Sequence, residues 1–180
     1  MILLIGKLKN IKNMKKIIYL ILAITVAAFT RLLPHPPNFS PLAAMALFGG
    51  VYFSKKYALV IPLIVLFISD LFLGFHSTIP FVYGSFLITG AIGLWLKKHQ
   101  DYKSILIGTL LSSVLFFIIT NFGVWLVGNL YQKNITGLIQ SYIMAIPFFR
   151  YTLIGDLFYT GIFFGSYQII FSKKVKVAIE

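Results

Sequence analysis

Residues 31–50 read RLLPHPPNFSPLAAMALFGG, and this stretch decides how the chain folds. Its first three prolines cannot continue a helix, and each favours extended geometry in the residue before it. Ser40 followed by Pro41 is typical of a helix start, with the serine as N-cap and the proline at the first helical position. The stretch therefore predicts a broken connection followed by a new helix.

The helix that begins at Ser40 is short, because the lysine pair Lys55 and Lys56 follows it closely. About 15 residues rise roughly 22 Å, which is less than the roughly 30 Å of a bilayer's hydrocarbon core. One end of this helix is therefore expected to be recessed, with space beyond it for another molecule.

The composition excludes an ordinary soluble domain. The 180 residues are 59% hydrophobic and 17% aromatic, with a mean hydropathy of +0.92. The formal charge of +12 comes from basic residues clustered between apolar runs, a pattern typical of cytoplasmic anchors and not of a nucleic-acid surface. The sequence contains no cysteine, so the chain can form neither a disulfide nor a thiolate metal site.

The apolar runs predict an all-α polytopic membrane protein with six transmembrane helices. The predicted spans are residues 17–33, 40–53, 57–75, 78–96, 104–127 and 151–171. Residues 135–147 are apolar but too short to span, and Pro147 is expected to end them, which predicts an extra interfacial or re-entrant helix between helices 5 and 6.

The same runs divide the chain into a basic leader (1–16), one membrane domain (17–172) and a basic tail (173–180). Met14 is an alternative start. A basic segment before an apolar run also describes a signal peptide, although no Ala-x-Ala cleavage site precedes Arg31.

The distribution of lysine and arginine predicts the orientation. With six spans and both termini inside, thirteen of the 16 basic residues are cytoplasmic and three are external, namely Arg31, Lys133 and Arg150. This asymmetry agrees with the positive-inside rule, and the bacterial cytoplasmic membrane is the expected location.

In this orientation, the ionisable and amide side chains within the spans collect near the outer face. A carboxylate within a span costs a few kcal/mol unless it faces water, a partner or the bundle interior. The accumulation predicts an outward-facing pocket, so the outer end of helix 2, its start, is the end expected to be recessed, and its free N–H groups would favour an anionic group there. The candidate substrate-binding residues are Arg31, Asn38, Asp70, Asn121, Trp125, Arg150 and Asp156.

Each candidate is expected to have a separate role. Arg31 and Arg150 would neutralise acidic groups on the ligand, while Asp70, Asn121 and Asp156 would orient it by hydrogen bonds. Trp125 would stack on it, within an apolar wall that includes Phe39, Tyr83 and Tyr131.

A purely structural interpretation stays open beside this one. In that interpretation Asp70 with Arg31, and Asp156 with Arg150, are pairs that only hold the bundle together, and Trp125 belongs to an aromatic belt. His35 and His76 are expected in loops, without the spacing of a metal site. Small residues such as Ala23 and Ala27 form a smooth patch that serves either internal packing or the docking of another membrane protein.

The chain resembles the substrate-binding S components of energy-coupling-factor (ECF) vitamin transporters. The resemblance rests on the six-helix architecture and on Ala23-Ile-Thr-Val-Ala27 in helix 1. The segments PNFSPLAAMALFGG, TNFGVW and IPFF…Asp156 also look like an uncharacterised family of small bacterial integral membrane proteins related to those components. The resemblance implies a ligand pocket near the outer face and a docking patch at Ala23 and Ala27 for a transmembrane coupling subunit.

The expected function is therefore substrate capture without catalysis. The chain would bind a small vitamin-like or cofactor-precursor molecule, and partner proteins would supply ATP hydrolysis because no phosphate-binding loop motif occurs here. No cofactor, metal or nucleic acid is expected. The alternatives are a self-contained proton-linked carrier and an intramembrane enzyme that uses Asp70 and Asp156 as an acid/base pair.

Overall fold

The computed structural model describes residues 2–34 and 36–171. His35, the predicted tail at 173–180 and the side chains of the leader lysines lie outside what is described. The described chain is all-α, as predicted, with six helices: α1 (Ile2–Leu32), α2 (Leu42–Tyr52), α3 (Lys55–Leu73), α4 (Ile79–Leu96), α5 (Tyr102–Val127) and α6 (Ile135–Phe171).

Four of these helices, α3 to α6, are long and apolar enough to cross a membrane. The apolar part of α1, Ile18–Leu32, and the whole of α2 are shorter. Large apolar side chains on α3 to α6 are exposed, among them Phe72, Trp95 and Ile169. Exposed apolar surface on long helices indicates a membrane protein, in agreement with the composition.

The short second helix lies at the centre of the bundle. Every residue from Pro41 to Val51 is buried, and α2 contacts all five other helices. Its 11 residues confirm the predicted shortness. The helix starts later than predicted, at Leu42, with Pro41 at the N-cap position and a long 3.4 Å contact from the Leu42 N–H to the Ser40 hydroxyl.

Two glycines allow α2 and α4 to cross at very short range. A Cβ atom added to Gly50 would lie 2.4 Å from the carbonyl carbon of Gly93, and one added to Gly93 would lie 2.5 Å from the carbonyl oxygen of Leu47. The crossing therefore depends on the absence of side chains at these two positions.

The small residues of α1 also pack inside the chain. Ala23 is 7% exposed and Ala27 is fully buried, both in the cluster that surrounds α2. Their burial favours internal packing, one of the two interpretations of the small residues, and the docking of another membrane protein at Ala23 and Ala27 stays a prediction.

The last helix differs from the prediction. Residues 135–147 are not a separate segment, because α6 runs without interruption from Ile135 to Phe171 with Pro147 inside it. Proline removes one backbone hydrogen bond and often bends a helix, but here it does not end the helix. The predicted break between residues 147 and 151 is thus corrected.

Asp101 begins α5 and makes its stability depend on pH. Its carboxylate accepts a 3.0 Å hydrogen bond from the Ser104 N–H and a 2.6 Å hydrogen bond from the Ser104 hydroxyl. These hydrogen bonds favour the charged form and hold the pKa of Asp101 below its ordinary range. The resulting stabilisation is complete above the ordinary carboxyl pKa of about 4 and is lost as the pH falls through the lower folded pKa.

We therefore expect Asp101→Ala to lower the melting temperature at pH 7 and to lower it less at pH 3. Asp101→Asn is the matched control, because asparagine caps a helix about as well as aspartate without titrating. Thermal unfolding in detergent at both pH values measures the effect. Equal losses for Asp101→Ala at pH 7 and pH 3 would contradict this role for the carboxylate.

Candidate ligand cavity

A cavity of about 450 Å³ lies at the start of α2, the end that the sequence predicts to be recessed. It is bounded by the ends of α1 and α3, the starts of α2 and α4, the second half of α5 and the middle of α6. Polar side chains occur around its whole wall: Arg31, Asn38, Ser40, His76, Thr78, Thr120, Asn121, Thr152 and Asp156. The cavity has a size and a mixed lining that suit a small organic ligand.

The mouth of the cavity is formed by two loops. Asn38 is exposed and has a φ of 64°, a left-handed conformation that asparagine tolerates better than most residues. His76 is exposed in the α3–α4 connection, where its Nδ1 lies 2.7 Å from the hydroxyl of Thr78. Asp156, in contrast, is 3% exposed and marks the inner part of the cavity.

Arg31 on the cavity wall is already paired with an acid behind it. Its Nη2 lies 2.6 Å from Oδ1 of Asp70, whose side chain is 1% exposed, and the Tyr83 hydroxyl donates a 2.8 Å hydrogen bond to Oδ2 of the same carboxylate. Nη1 of Arg31 also donates to the carbonyl of Leu66, at 3.1 Å, and to the hydroxyl of Ser69. The predicted Arg31–Asp70 pair is present, and Asp70 itself does not line the cavity.

The second predicted pair is absent. Arg150 is exposed and does not line the cavity, and among the described residues it forms no ion pair with Asp156. The reason is the continuity of α6: residues six positions apart lie on different faces of one helix. A break before residue 151 would have removed this constraint, and the sequence alone gave no sign that the helix continues through Pro147.

Asp156 instead faces α5. Its Oδ2 accepts a 2.6 Å hydrogen bond from the hydroxyl of Ser113, and no cationic side chain of the described chain pairs with it. Thr109 and Thr160 lie close to each other between the same two helices, with their hydroxyl oxygens 3.4 Å apart. Asp156 is thus a buried acidic side chain among the polar contacts between α5 and α6, and it also lines the cavity.

Only one of Asn121 and Trp125 lines the cavity, although their spacing places both on one face of α5. Asn121 lines the cavity, and its side-chain amide donates a 2.7 Å hydrogen bond to the carbonyl of Phe117. Trp125 does not line the cavity; its ring N–H donates a 2.9 Å hydrogen bond to the carbonyl of Gln132 in the connection to α6. The loop that folds back over the end of α5 therefore takes Trp125 away from the predicted stacking role.

The aromatic part of the apolar wall consists of phenylalanines that are not among the predicted wall residues. Of the predicted aromatic wall, Tyr83 holds Asp70, while Phe39 packs against Phe158 and Tyr159. One signal was available in the sequence: two Phe-Phe pairs lie within about one turn of Asn121 and Thr152. The phenylalanines that line the cavity are Phe86, Phe116, Phe117, Phe148 and Phe149.

The arrangement of the acids gives no support to acid/base chemistry. Asp70 is engaged by Arg31 and Tyr83 outside the cavity lining, and Asp156 is engaged by Ser113 inside it. A catalytic pair requires both carboxyl groups to reach one bound molecule. In the described part of the chain, no group of three or more metal-ligating side chains occurs either.

Comparison with known proteins identifies the chain only at the level of a family. No curated protein and no solved structure matches it. One family model matches residues 11–178, which include all of the cavity and nearly all of the described helices. The chain belongs to this family, DUF6580, a family of unknown function.

Proposed function

We propose that the protein is a membrane-embedded substrate-capture subunit with six spans and both termini in the cytoplasm. It binds a small vitamin-like or cofactor-precursor molecule at the outer face of a bacterial cytoplasmic membrane. A partner ATPase module with a transmembrane coupling subunit supplies the energy for uptake.

The observation that carries this proposal is the cavity of about 450 Å³ at the start of α2. Because α2 is too short to fill the bundle, a recess remains between the surrounding helices at one end. Three connections are predicted to be external: α1–α2, α3–α4 and α5–α6. They lie at the same end of the bundle as the start of α2, and the lysine pairs at 55–56 and 97–98 lie at the opposite end. By the positive-inside rule, the cavity then opens outwards.

The proposal is tested by a thermal-shift screen of the purified full chain against vitamins and cofactor precursors. A ligand at 100 times its dissociation constant raises the free energy of unfolding by about 2.7 kcal/mol, which is readily measured. We expect Asn121→Ala to weaken the binding of such a ligand about tenfold, the effect of losing roughly 1.4 kcal/mol of hydrogen bonding.

Asn129→Ala is the control for this variant, because Asn129 is exposed and does not line the cavity. It should leave the ligand-induced shift unchanged. A screen without any saturable shift would contradict ligand capture. Uptake of a bound ligand into liposomes that contain this chain alone would instead favour the self-contained carrier, because a capture subunit requires its ATPase partner.

A further inference from the structure

One acidic side chain of the cavity has no basic partner. The acidic and basic side chains that line the cavity are Arg31, Asp156 and, in the α3–α4 connection, His76. The charge of Arg31 is matched by Asp70 at 2.6 Å, from behind the wall. Asp156 has no such basic partner among the described residues, since Ser113 supplies only a neutral hydrogen bond at 2.6 Å.

Other sources of positive charge do not change this result. Arg150 is exposed and lies outside the cavity lining. The start of α2 does line the cavity, but a helix N-terminus carries only about half an elementary charge, spread over several N–H groups. The cavity therefore holds a carboxyl group that is 3% exposed and has no cationic partner among the described residues, and a cationic ligand would supply that partner.

The apolar lining suits the same kind of ligand. Phe116 and Phe117 on α5 and Phe148 and Phe149 on α6 belong to the two helices that hold Ser113 and Asp156. Aromatic faces attract cations through the ring quadrupole, and they do so more strongly when water is excluded. A buried carboxylate without a cation partner inside a spanning segment is generally a sign of function.

We propose that the cavity binds an organic cation, whose positively charged nitrogen lies against the Asp156 carboxylate among the phenylalanine rings. This inference rests on the proposed capture function and specifies the ligand class of the same site. It reverses the role expected from the sequence, in which Arg31 and Arg150 neutralise an acidic ligand. Arg31 is occupied by Asp70 instead, and Arg150 points elsewhere.

The test compares probes that differ in charge but little in size. The full chain is purified in a neutral detergent, and its melting temperature is measured with phenethylamine, benzyltrimethylammonium, 2-phenylethanol and phenylacetate. We expect a saturable rise with the two cations and none with the alcohol or the carboxylate. Asp156→Asn, which keeps the size and an acceptor for Ser113, should weaken cation binding at least tenfold. Arg150→Ala should leave it unchanged.

A second measurement needs no ligand. Since the carboxylate is held for binding and not for folding, Asp156→Asn should match or exceed the melting temperature of the unliganded wild type. A clear loss of stability in Asp156→Asn, or an unchanged response of that variant to the cations, would overturn the inference.

The outcomes also separate this inference from the proposed function. If the wider screen or the probes yield only neutral or anionic ligands, the cation assignment fails and ligand capture stands. If neither the probes nor the screen produces a shift, both fail. Phosphatidylglycerol nanodiscs with and without phosphatidylethanolamine distinguish a soluble amine from a lipid headgroup: stabilisation by phosphatidylethanolamine that requires Asp156 would support the cation site and overturn soluble-substrate capture.

Discussion

Arg31→Ala is expected to lower the free energy of unfolding by roughly 3–5 kcal/mol, because it leaves the carboxylate of Asp70 buried without a cation. Asp70 is 1% exposed and does not line the cavity, so its carboxylate is stabilised by Arg31 and Tyr83 instead of by water. Arg31 also donates to the carbonyl of Leu66 and to the hydroxyl of Ser69, so its loss leaves acceptors at the end of α3 without their donor. Thermal unfolding in detergent measures the loss.

Two controls distinguish a broken ion pair from a general effect of removing arginine. Arg150→Ala removes an exposed arginine that has no ion pair within the described residues, and it should change stability by less than about 0.5 kcal/mol. Adding Asp70→Asn to Arg31→Ala removes the unpaired charge and should restore part of the loss. Equal stability of Arg31→Ala and Arg150→Ala, or no rescue by Asp70→Asn, would show that the pair does not hold α1 to α3.

Gly50→Ala is expected to destabilise the protein by about 1–3 kcal/mol or more, although alanine is the better helix former. Its new methyl group would lie 2.4 Å from the carbonyl carbon and 2.5 Å from the Cα of Gly93. Both are backbone atoms, so no side-chain rotation can relieve the overlap, and α2 and α4 must move apart. Gly50→Leu should prevent accumulation of folded protein. Thermal unfolding and the yield of monodisperse protein are the measurements.

Gly84→Ala is the matched control, since Gly84 lies on α4 as well but has no atom within 4 Å of its added methyl group. There the gain in helix propensity, up to about 1 kcal/mol, is not opposed by overlap. We therefore expect opposite signs for the two glycine-to-alanine substitutions. A similar effect of both would mean that the close crossing of α2 and α4 does not limit stability.

The short second helix could be predicted because it depends on local chemistry. Prolines before Ser40 and lysines at 55–56 set its two limits, and its length against the bilayer thickness predicted the recess at its start. Four of the seven predicted site residues, Arg31, Asn38, Asn121 and Asp156, line the cavity that fills this recess.

The remaining site residues could not be placed because their positions depend on tertiary contacts. The predicted spans leave Arg150 outside the membrane, just before residue 151, but α6 continues through Pro147 and places Arg150 on another face than Asp156. Trp125 shares a helix face with Asn121, yet it bonds to the carbonyl of Gln132 in a connection whose path no local pattern describes. The burial of Ala23 depends in the same way on which helix packs against α1.

The burial of α2 from Leu42 to Val51 has a consequence for how such a protein is made. In a bilayer, an 11-residue helix has no stable transmembrane position of its own, because it is shorter than the hydrocarbon core. We therefore expect nascent α2 to be stabilised only once the later helices that surround it, α3 to α6, have been synthesised. Assembly is thus completed after synthesis of most of the chain, and truncation before α6 should leave a product that cellular quality control degrades.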